Sequence, residues 1–244
     1  MFITGAGSGI GRATAKRFAA ERAKVFAIDV NGDGLMETID AIRLAGGTAD
    51  GGVCDVASMV DVGAAVNSAA SGFGGLDVLV NAAGIGGFVR LEEIDEETWQ
   101  RTIGVNLGGV FHTTKAAIPY LVGRPGANIV NVGSTASLRG QAYASAYSAS
   151  KAGLVLFTRS IALEFATRGV RANCVCPGGV RAPLGRFFQL RDDFEMHLLD
   201  YARPPAAGTF AEPEDIAGAI AFLASDEARM INGAVLLADH GTLA

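Results

Sequence analysis

Charge is scarce in this chain. Only 18% of its 244 residues are acidic or basic, no basic tract occurs, and 20 basic against 25 acidic side chains leave a formal charge of −5. Binding to nucleic acid draws on clustered cations that displace counterions, so that class is set aside. Cysteine is scarcer. Cys54, Cys174 and Cys176 are odd in number and lack metal-ligand spacing, which argues against a disulfide framework or zinc site and for buried free thiols in a reducing compartment. Cys174 and Cys176, two apart in an apparent strand, point to one face. There is no basic-then-apolar leader and no uninterrupted apolar run of about 18 residues, so the expectation is a cytoplasmic protein without a membrane span. No linker rich in proline, serine or charge divides the chain, and no repeat of about 20 to 50 residues stands out. Half of the residues are apolar, enough for one large core, and residues 1–244 read as a single domain.

What is present is an alternation. Short β-branched runs at 2–4, 24–29, 51–56, 77–84, 128–134, 170–177 and 234–239 are apolar on both faces, as strands covered from two sides are. Between them lie amphipathic segments, among them 11–23, 59–73, 97–121 and 145–169. The pattern predicts an α/β fold: one doubly wound domain with a central parallel sheet of about seven strands and helices on both faces. The alternation stops at 181–211, where Phe187, Phe188, Phe194 and Leu198 have no obvious core to join. That stretch reads as a lid over a pocket, with a subunit contact as the other reading.

Two local patterns carry chemistry. TGAGSGIG, residues 4–11, follows a strand and opens a helix, where glycines let the backbone approach a pyrophosphate and unpaired amides favour its charge. The next strand ends in Asp29, a carboxylate able to accept bonds from ribose hydroxyls and to repel a 2′-phosphate. Val30 and Asn31 follow it, so NAD is the expected cofactor and NADP the less favoured one. The second pattern is YASAYSASK, residues 143–151. Helical spacing places Tyr147 one turn before Lys151, with Tyr143 a further turn away on the same stripe. A phenol near its reference pKa of about 10 is a poor base at neutrality, and a neighbouring ammonium favours the phenolate.

In company, these motifs resemble the short-chain dehydrogenase/reductase family. TGAGSGIG at 4–11, NAAG at 81–84, Asn106 in VNLGGVF, Ser134 in IVNVGS, YSASK at 147–151 and PGGV at 177–180 occur in the family's order, and the resemblance extends through 213–239. It implies that Gly5, Ser8, Gly9, Ile10, Gly11 and Asp29 hold the adenosine half of a dinucleotide and that Asp55 and Val56 flank the adenine. Asn81, Ala82 and Gly84 would line the cofactor and brace the sheet; Pro177, Gly178 and Val180 would complete its site. By the same resemblance, Tyr147 is the proton donor and acceptor, Ser134 holds the substrate oxygen, Lys151 also binds the nicotinamide ribose, and Asn106 positions a water. Ser134 stands 13 residues before Tyr147, as the pattern requires. A homotetramer built on the segments at 95–123 and 145–168 is a further implication.

Four departures stand out: only three residues precede the glycine turn, Ala182 replaces a threonine expected to touch the nicotinamide amide, DHG at 239–241 brings in His240, and RPPAAGTF at 203–210 is atypical. The three histidines, His112, His197 and His240, are too scattered for a metal site, and no metal is expected. His197 lies in the expected lid. The reading is an NAD-dependent oxidoreductase of secondary alcohols and ketones, its pocket bounded by Ser134, Ala136, Leu138, Gln141, Tyr147, Gly179 and the aromatic lid. Two others compete: a 3-oxoacyl-thioester reductase, disfavoured because that step usually draws on NADPH, and a non-catalytic dinucleotide sensor or scaffold.

Overall fold

A computed structural model describes residues 1–202 and 210–244. Seven parallel strands form one sheet in the order β3-β2-β1-β4-β5-β6-β7. They are β1 (Phe2–Thr4), β2 (Val25–Asp29), β3 (Ala49–Val53), β4 (Val78–Asn81), β5 (Asn128–Val132), β6 (Arg171–Pro177) and β7 (Val235–Ala238). The helices are α1 (Gly9–Ala20), α2 (Gly32–Leu44), α3 (Met59–Phe73), α4 (Glu96–Ile103), α5 (Gly109–Leu121), α6 (Ser145–Glu164) and α7 (Pro213–Ala224).

The two-residue period of the strands sorts the core into two layers. Ile3, Ala27, Val80, Val130 and Val175 face a layer completed by Phe18, Leu35, Ile39 and Ile216 from α1, α2 and α7. Their neighbours Phe2, Phe26, Ile28, Leu79 and Ile129 face the other layer, against Val62, Val66, Leu121 and Ile161 from α3, α5 and α6. Burying each such side chain contributes roughly 1.5–3 kcal/mol before entropy is counted. The strand order reverses between β1 and β4, so the helices that follow them leave the sheet on opposite faces and open a crevice at the strands' carboxyl ends.

Several boundaries differ from the sequence reading, β4 among them, which stops at Asn81 rather than at 84. The third strand runs Ala49–Val53 rather than over 51–56. Asp55 ends it, accepting from the amide of Ala57 at 2.9 Å in a side-chain-to-backbone turn that feeds α3. The segment at 97–121 is not one regular helix: a π-helical turn, Gly104–Gly108, separates α4 from α5 and holds Asn106. Such bulges are rare and frequent at functional sites, and here the Asn106 side chain bonds both the amide and the carbonyl of Ile85, each at 2.8 Å. Finally, α6 ends at Glu164, followed by a tight turn closed by Gly169 at φ +78°. Of the segment expected as a lid, residues 203–209, including most of RPPAAGTF, lie outside the described residues.

A polar chain crosses the buried centre. Thr113 donates to Asn81 Oδ1 at 2.6 Å, Asn81 Nδ2 to Asn131 Oδ1 at 2.8 Å, and Asn131 Nδ2 to Thr158 at 2.8 Å, joining α5, β4, β5 and α6. Removing Asn131 leaves buried Asn81 Nδ2 without its acceptor and Thr158 with only its bond to the Leu154 carbonyl, so Asn131→Ala should destabilise the fold by about 3 kcal/mol. Urea denaturation at fixed protein concentration reads this as a lowered midpoint, and a loss under about 1 kcal/mol would mean water replaces the amide.

Candidate active site

The turn between β1 and α1 is shaped by backbone crowding. Gly5 takes φ +68°, and a Cβ there would lie 2.8 Å from the backbone of Ala83; one on Gly11 would meet the Gly5 carbonyl at 2.0 Å. Gly9, at φ +50°, begins α1, and Ser8 precedes it without a side-chain capping bond. The first amides of α1 thus open onto the crevice with no side chain of their own to satisfy them, a cradle suited to a phosphate. Asp29 is held at the end of β2 by two amides, Gly7 to Oδ2 and Asn31 to Oδ1, both at 2.8 Å. Arg12 was missed by the sequence reading. Its Nη2 donates to the carbonyls of Gly7 at 2.6 Å and Gly34 at 3.0 Å and pairs with Glu37 at 2.9 Å, so it braces the turn against α2. The signal was a basic residue immediately after the last glycine of the turn.

At the other end, Ser134 follows β5 and caps a short turn, its Oγ accepting from the amide of Ala136 at 3.1 Å. Tyr147 and Lys151 lie one turn apart on α6, both buried. Burial pushes the Tyr147 phenol above its usual pKa, while a hydrogen bond with the Ser134 side chain pulls it down. Burial also lowers the Lys151 ammonium to about 8, opposed by the nearby thiols of Cys174 and Cys176. Lys151 Nζ donates to the carbonyl of Val132 at 2.8 Å and lies 5.9 Å from the centre of the Tyr147 ring. In this arrangement desolvation, rather than the ammonium, is the main influence on the phenol.

Asn106 also donates to Ser150 at 3.0 Å. A Cβ on Gly84 would sit 3.3 Å from Asn106 Oδ1 and 3.4 Å from Lys151 Nζ, so the missing side chain lets the 81–84 turn approach both. Cys174 and Cys176 share a face as expected, their sulfurs 3.8 Å apart beneath Gly133.

Both ends open into one cavity of about 730 Å³. Of the residues nominated from the sequence as catalytic or cofactor-binding, all line it except Asn81 and Asn106, which stand behind the wall and brace it. Of the expected pocket boundary, Ser134, Gln141, Tyr147 and Gly179 line it and Ala136 and Leu138 do not; Ala136 packs behind Tyr147 and Leu138 is exposed. His197 is exposed and outside the wall. The wall also has members the sequence reading did not name, among them Ile85, Phe88, Leu190, Met196 and Leu199. The cue was the recurrence of apolar residues at 85–88 and 187–199, outside the strands and α-helices. Tyr143 does not share the stripe of Tyr147: it lies before α6 at φ +61° and turns its ring toward Phe194. No group of three or more potential metal ligands occurs among the described residues.

Comparison with known proteins agrees with this geometry. A family described as "Enoyl-(Acyl carrier protein) reductase" matches residues 5–242. The chain is 41% identical to 2-(S)-hydroxypropyl-CoM dehydrogenase 3 of Xanthobacter autotrophicus, over 99% of its own length and 95% of the relative's. Among solved structures, a short chain dehydrogenase from Mycobacterium paratuberculosis bound to NAD superposes with a TM-score of 0.92 at 30% identity, covering 99% of this chain and 96% of that one. A short chain dehydrogenase from Burkholderia cenocepacia in complex with NADP gives 0.89 at 32% identity, covering 100% and 97%.

The lowered pKa of Lys151 has a thermodynamic consequence. Native Lys151 gives up its proton near pH 8, whereas the unfolded chain keeps it to about 10.5. The unfolded state therefore binds more protons between those values, and stability rises with pH across that window. Without cofactor, the wild type should gain about 3 kcal/mol relative to Lys151→Met from pH 8 to 10.5. Denaturation midpoints of the two proteins that keep a constant separation would place the ammonium in a wetter site than its burial indicates.

Proposed function

Because the chain belongs to the short-chain dehydrogenase/reductase family of NAD(P)-binding oxidoreductases that act on CH–OH and C=O groups, we propose that it is an NAD-dependent enzyme interconverting secondary alcohols and ketones. The observation that carries this reading is the placement of Tyr147, Ser134 and Lys151 along the same cavity as the glycine turn and Asp29.

The cradle at Gly5, Gly9 and Gly11 fits a pyrophosphate, because side chains there would strike backbone and the α1 amides are open. Asp29 would accept from the ribose, and Asp55 and Val56 would flank the base. Ala82, Gly84, Pro177, Gly178 and Val180 would line the rest of the dinucleotide. The nicotinamide ring, when bound, supplies the acceptor or donor for the hydrogen that moves with its electron pair.

The protein's own part is proton transfer and orientation. In alcohol oxidation, Tyr147 Oη as phenolate takes the hydroxyl proton while Ser134 Oγ donates a hydrogen bond to the same oxygen. In ketone reduction, the neutral phenol returns the proton to the developing alkoxide. Lys151 places positive charge near the phenol and would hold the nicotinamide ribose of a bound cofactor, and Asn106 and Ser150 hold the backbone at Ile85 and α6 that frames it. Burial raises the phenol, so at neutral pH it is ready to donate, and alcohol oxidation should accelerate as pH rises. Residues 181–202 act as the substrate lid, with Phe188 edge-on to Tyr147 at 5.2 Å between ring centres. A homotetramer is supported by Phe111, Leu156 and Leu163, exposed apolar side chains on α5 and α6.

The test is NADH formation over a panel of secondary alcohols from pH 7 to 10. The expected result is turnover that climbs with pH and falls by about 10²–10⁴-fold in Tyr147→Phe. Equal turnover by both proteins would remove Tyr147 from the chemistry, and a 3-oxoacyl thioester turned over with NADPH while every alcohol fails would replace the alcohol reading.

Preference for NAD rests on the Asp29 carboxylate and on Arg12, whose Nη2 is engaged by Gly7, Gly34 and Glu37. Asp29→Ser removes the charge that repels a 2′-phosphate. It should raise KM for NAD by about tenfold and improve use of NADP relative to NAD, as loss of one charge-assisted bond and one repulsion implies. An unchanged ratio of kcat/KM for the two cofactors would place their discrimination elsewhere.

A further inference from the structure

Tyr143 takes no part in the chemistry above, yet its backbone sits at φ +61°, a conformation that non-glycine residues keep only where their surroundings hold them. Those surroundings come from two other stretches of chain, residues 89–93 and 191–195. The ring stacks on Phe194, 4.1 Å between centres and 8° from parallel. The phenol oxygen accepts from the amide of Glu195 at 2.9 Å, and the backbone carbonyl accepts from Val89 at 2.6 Å. The Arg90 guanidinium lies 5.4 Å from the Tyr143 ring centre and 5.8 Å from that of Phe194. Arg191 ties the same assembly to Glu93, at 2.5 and 3.0 Å, and to Asp193 at 2.8 Å.

Magnitudes rank these contacts. The ion pairs are all at least a quarter exposed and so contribute little singly. The aromatic contacts are different, because the Tyr143 stack, with an edge contact from Phe88 at 6.4 Å between centres, leaves Phe194 only 5% exposed in a segment where Phe187 is 68% exposed. Phe194 also divides the segment's cavity-lining members: Phe188 and Leu190 come before it, Met196 and Leu199 after it. Phe188 meets Phe88 at 5.1 Å and Tyr147 at 5.2 Å. The stack thus pins the middle of the flap from outside, while both flanks roof the space beside the phenol with aliphatic and aromatic side chains.

We propose that Tyr143 is a positioning residue that, by stacking on Phe194, holds residues 188–199 over Tyr147 and restricts the site to compact, uncharged secondary alcohols such as alicyclic ones. The substrate half of this proposal rests on the alcohol dehydrogenase reading above; the latch itself does not.

The experiment uses the full chain as wild type, Tyr143→Ala, Tyr143→Phe, Phe194→Ala and the double alanine variant. Amide hydrogen exchange over 188–199 reads the latch without any turnover. Tyr143→Ala and Phe194→Ala should each accelerate exchange across the segment, whereas Tyr143→Phe, which keeps the ring and loses only the phenol oxygen, should expose the Glu195 amide alone. With cyclohexanol, Tyr143→Ala should raise KM by about tenfold with a smaller change in kcat, Tyr143→Phe should restore most of it, and the double variant should be no worse than either single one. Relative kcat/KM should shift from cyclohexanol toward 2-decanol, and NADH affinity should stay within about twofold, because the latch lies away from the nucleotide cradle. Tyr143→Gly, which accepts the positive φ, replaces Tyr143→Ala should that variant fail to fold. Unchanged exchange in both single alanine variants, or additive effects in the double one, overturns the latch. Faster exchange with no preference shift overturns the size selection, and altered exchange in a protein that oxidises no alcohol overturns the alcohol reading while leaving the latch standing.

Discussion

Every part of the site depends on the close seam where β1 and β4 lie side by side and their chains part. Thr4, the last residue of β1, accepts from the amides of both Ala82 and Ala83 at 3.0 Å, just beyond the end of β4. Gly5 then presses against the Ala83 backbone. With no room for a side chain, the glycine turn and the 81–84 turn form one continuous floor. The nucleotide end and the chemical end are therefore two halves of one surface, and a shift in either strand's register would part them.

Above that floor, the electrostatics are governed by burial. An exposed Tyr–Lys pair at helical spacing is an ordinary surface pattern, with little effect on either pKa. Enclosed by β5, the flap and α6, both side chains are driven toward their neutral forms, the phenol upward and the ammonium downward to about 8. Local contacts offset this in part, the Ser134 hydroxyl at the phenol and the Cys174 and Cys176 thiols at the ammonium. A cationic nicotinamide would enter a site where charge is poorly screened, so its effect on the phenol is larger than it would be in water. The supporting polar groups, Asn106, Asn81 and Asn131, are buried and satisfied by other residues, which keeps the frame rigid while the cavity face stays open.

Legibility followed the range of the interaction. Where a motif acts through adjacent backbone, as in the turn at 4–11 or the Tyr147–Lys151 pair, the residues named from the sequence and those found together in space coincide. Where a boundary depends on a partner far along the chain, the pattern misled. The apolar periodicity of 97–121 suggested one helix, because nothing local announces that Asn106 will reach Ile85 and open a π turn. The third strand seemed to extend to Val56, because its β-branched residues outweighed the turn that Asp55 makes. Phe194 looked uncovered because its cover, Tyr143, is a loop residue more than forty positions earlier. Arg12 went unnamed, since two of its acceptors lie on the glycine turn and the start of α2.

By itself, the sequence determined the α/β class, the parallel sheet, the glycine cradle and the spacing of Ser134, Tyr147 and Lys151, all written in short-range periodicity and steric need. Tertiary structure alone decided that the other phenol, Tyr143, pins the flap, how far burial displaces two ionisable groups, and which asparagines stand behind the wall rather than in it. Those outcomes depend on the direction in which a side chain leaves its backbone and on the number of water molecules it loses. Both are properties of the packed neighbours, and residues separated by tens of positions acquire them only when the chain has closed around them.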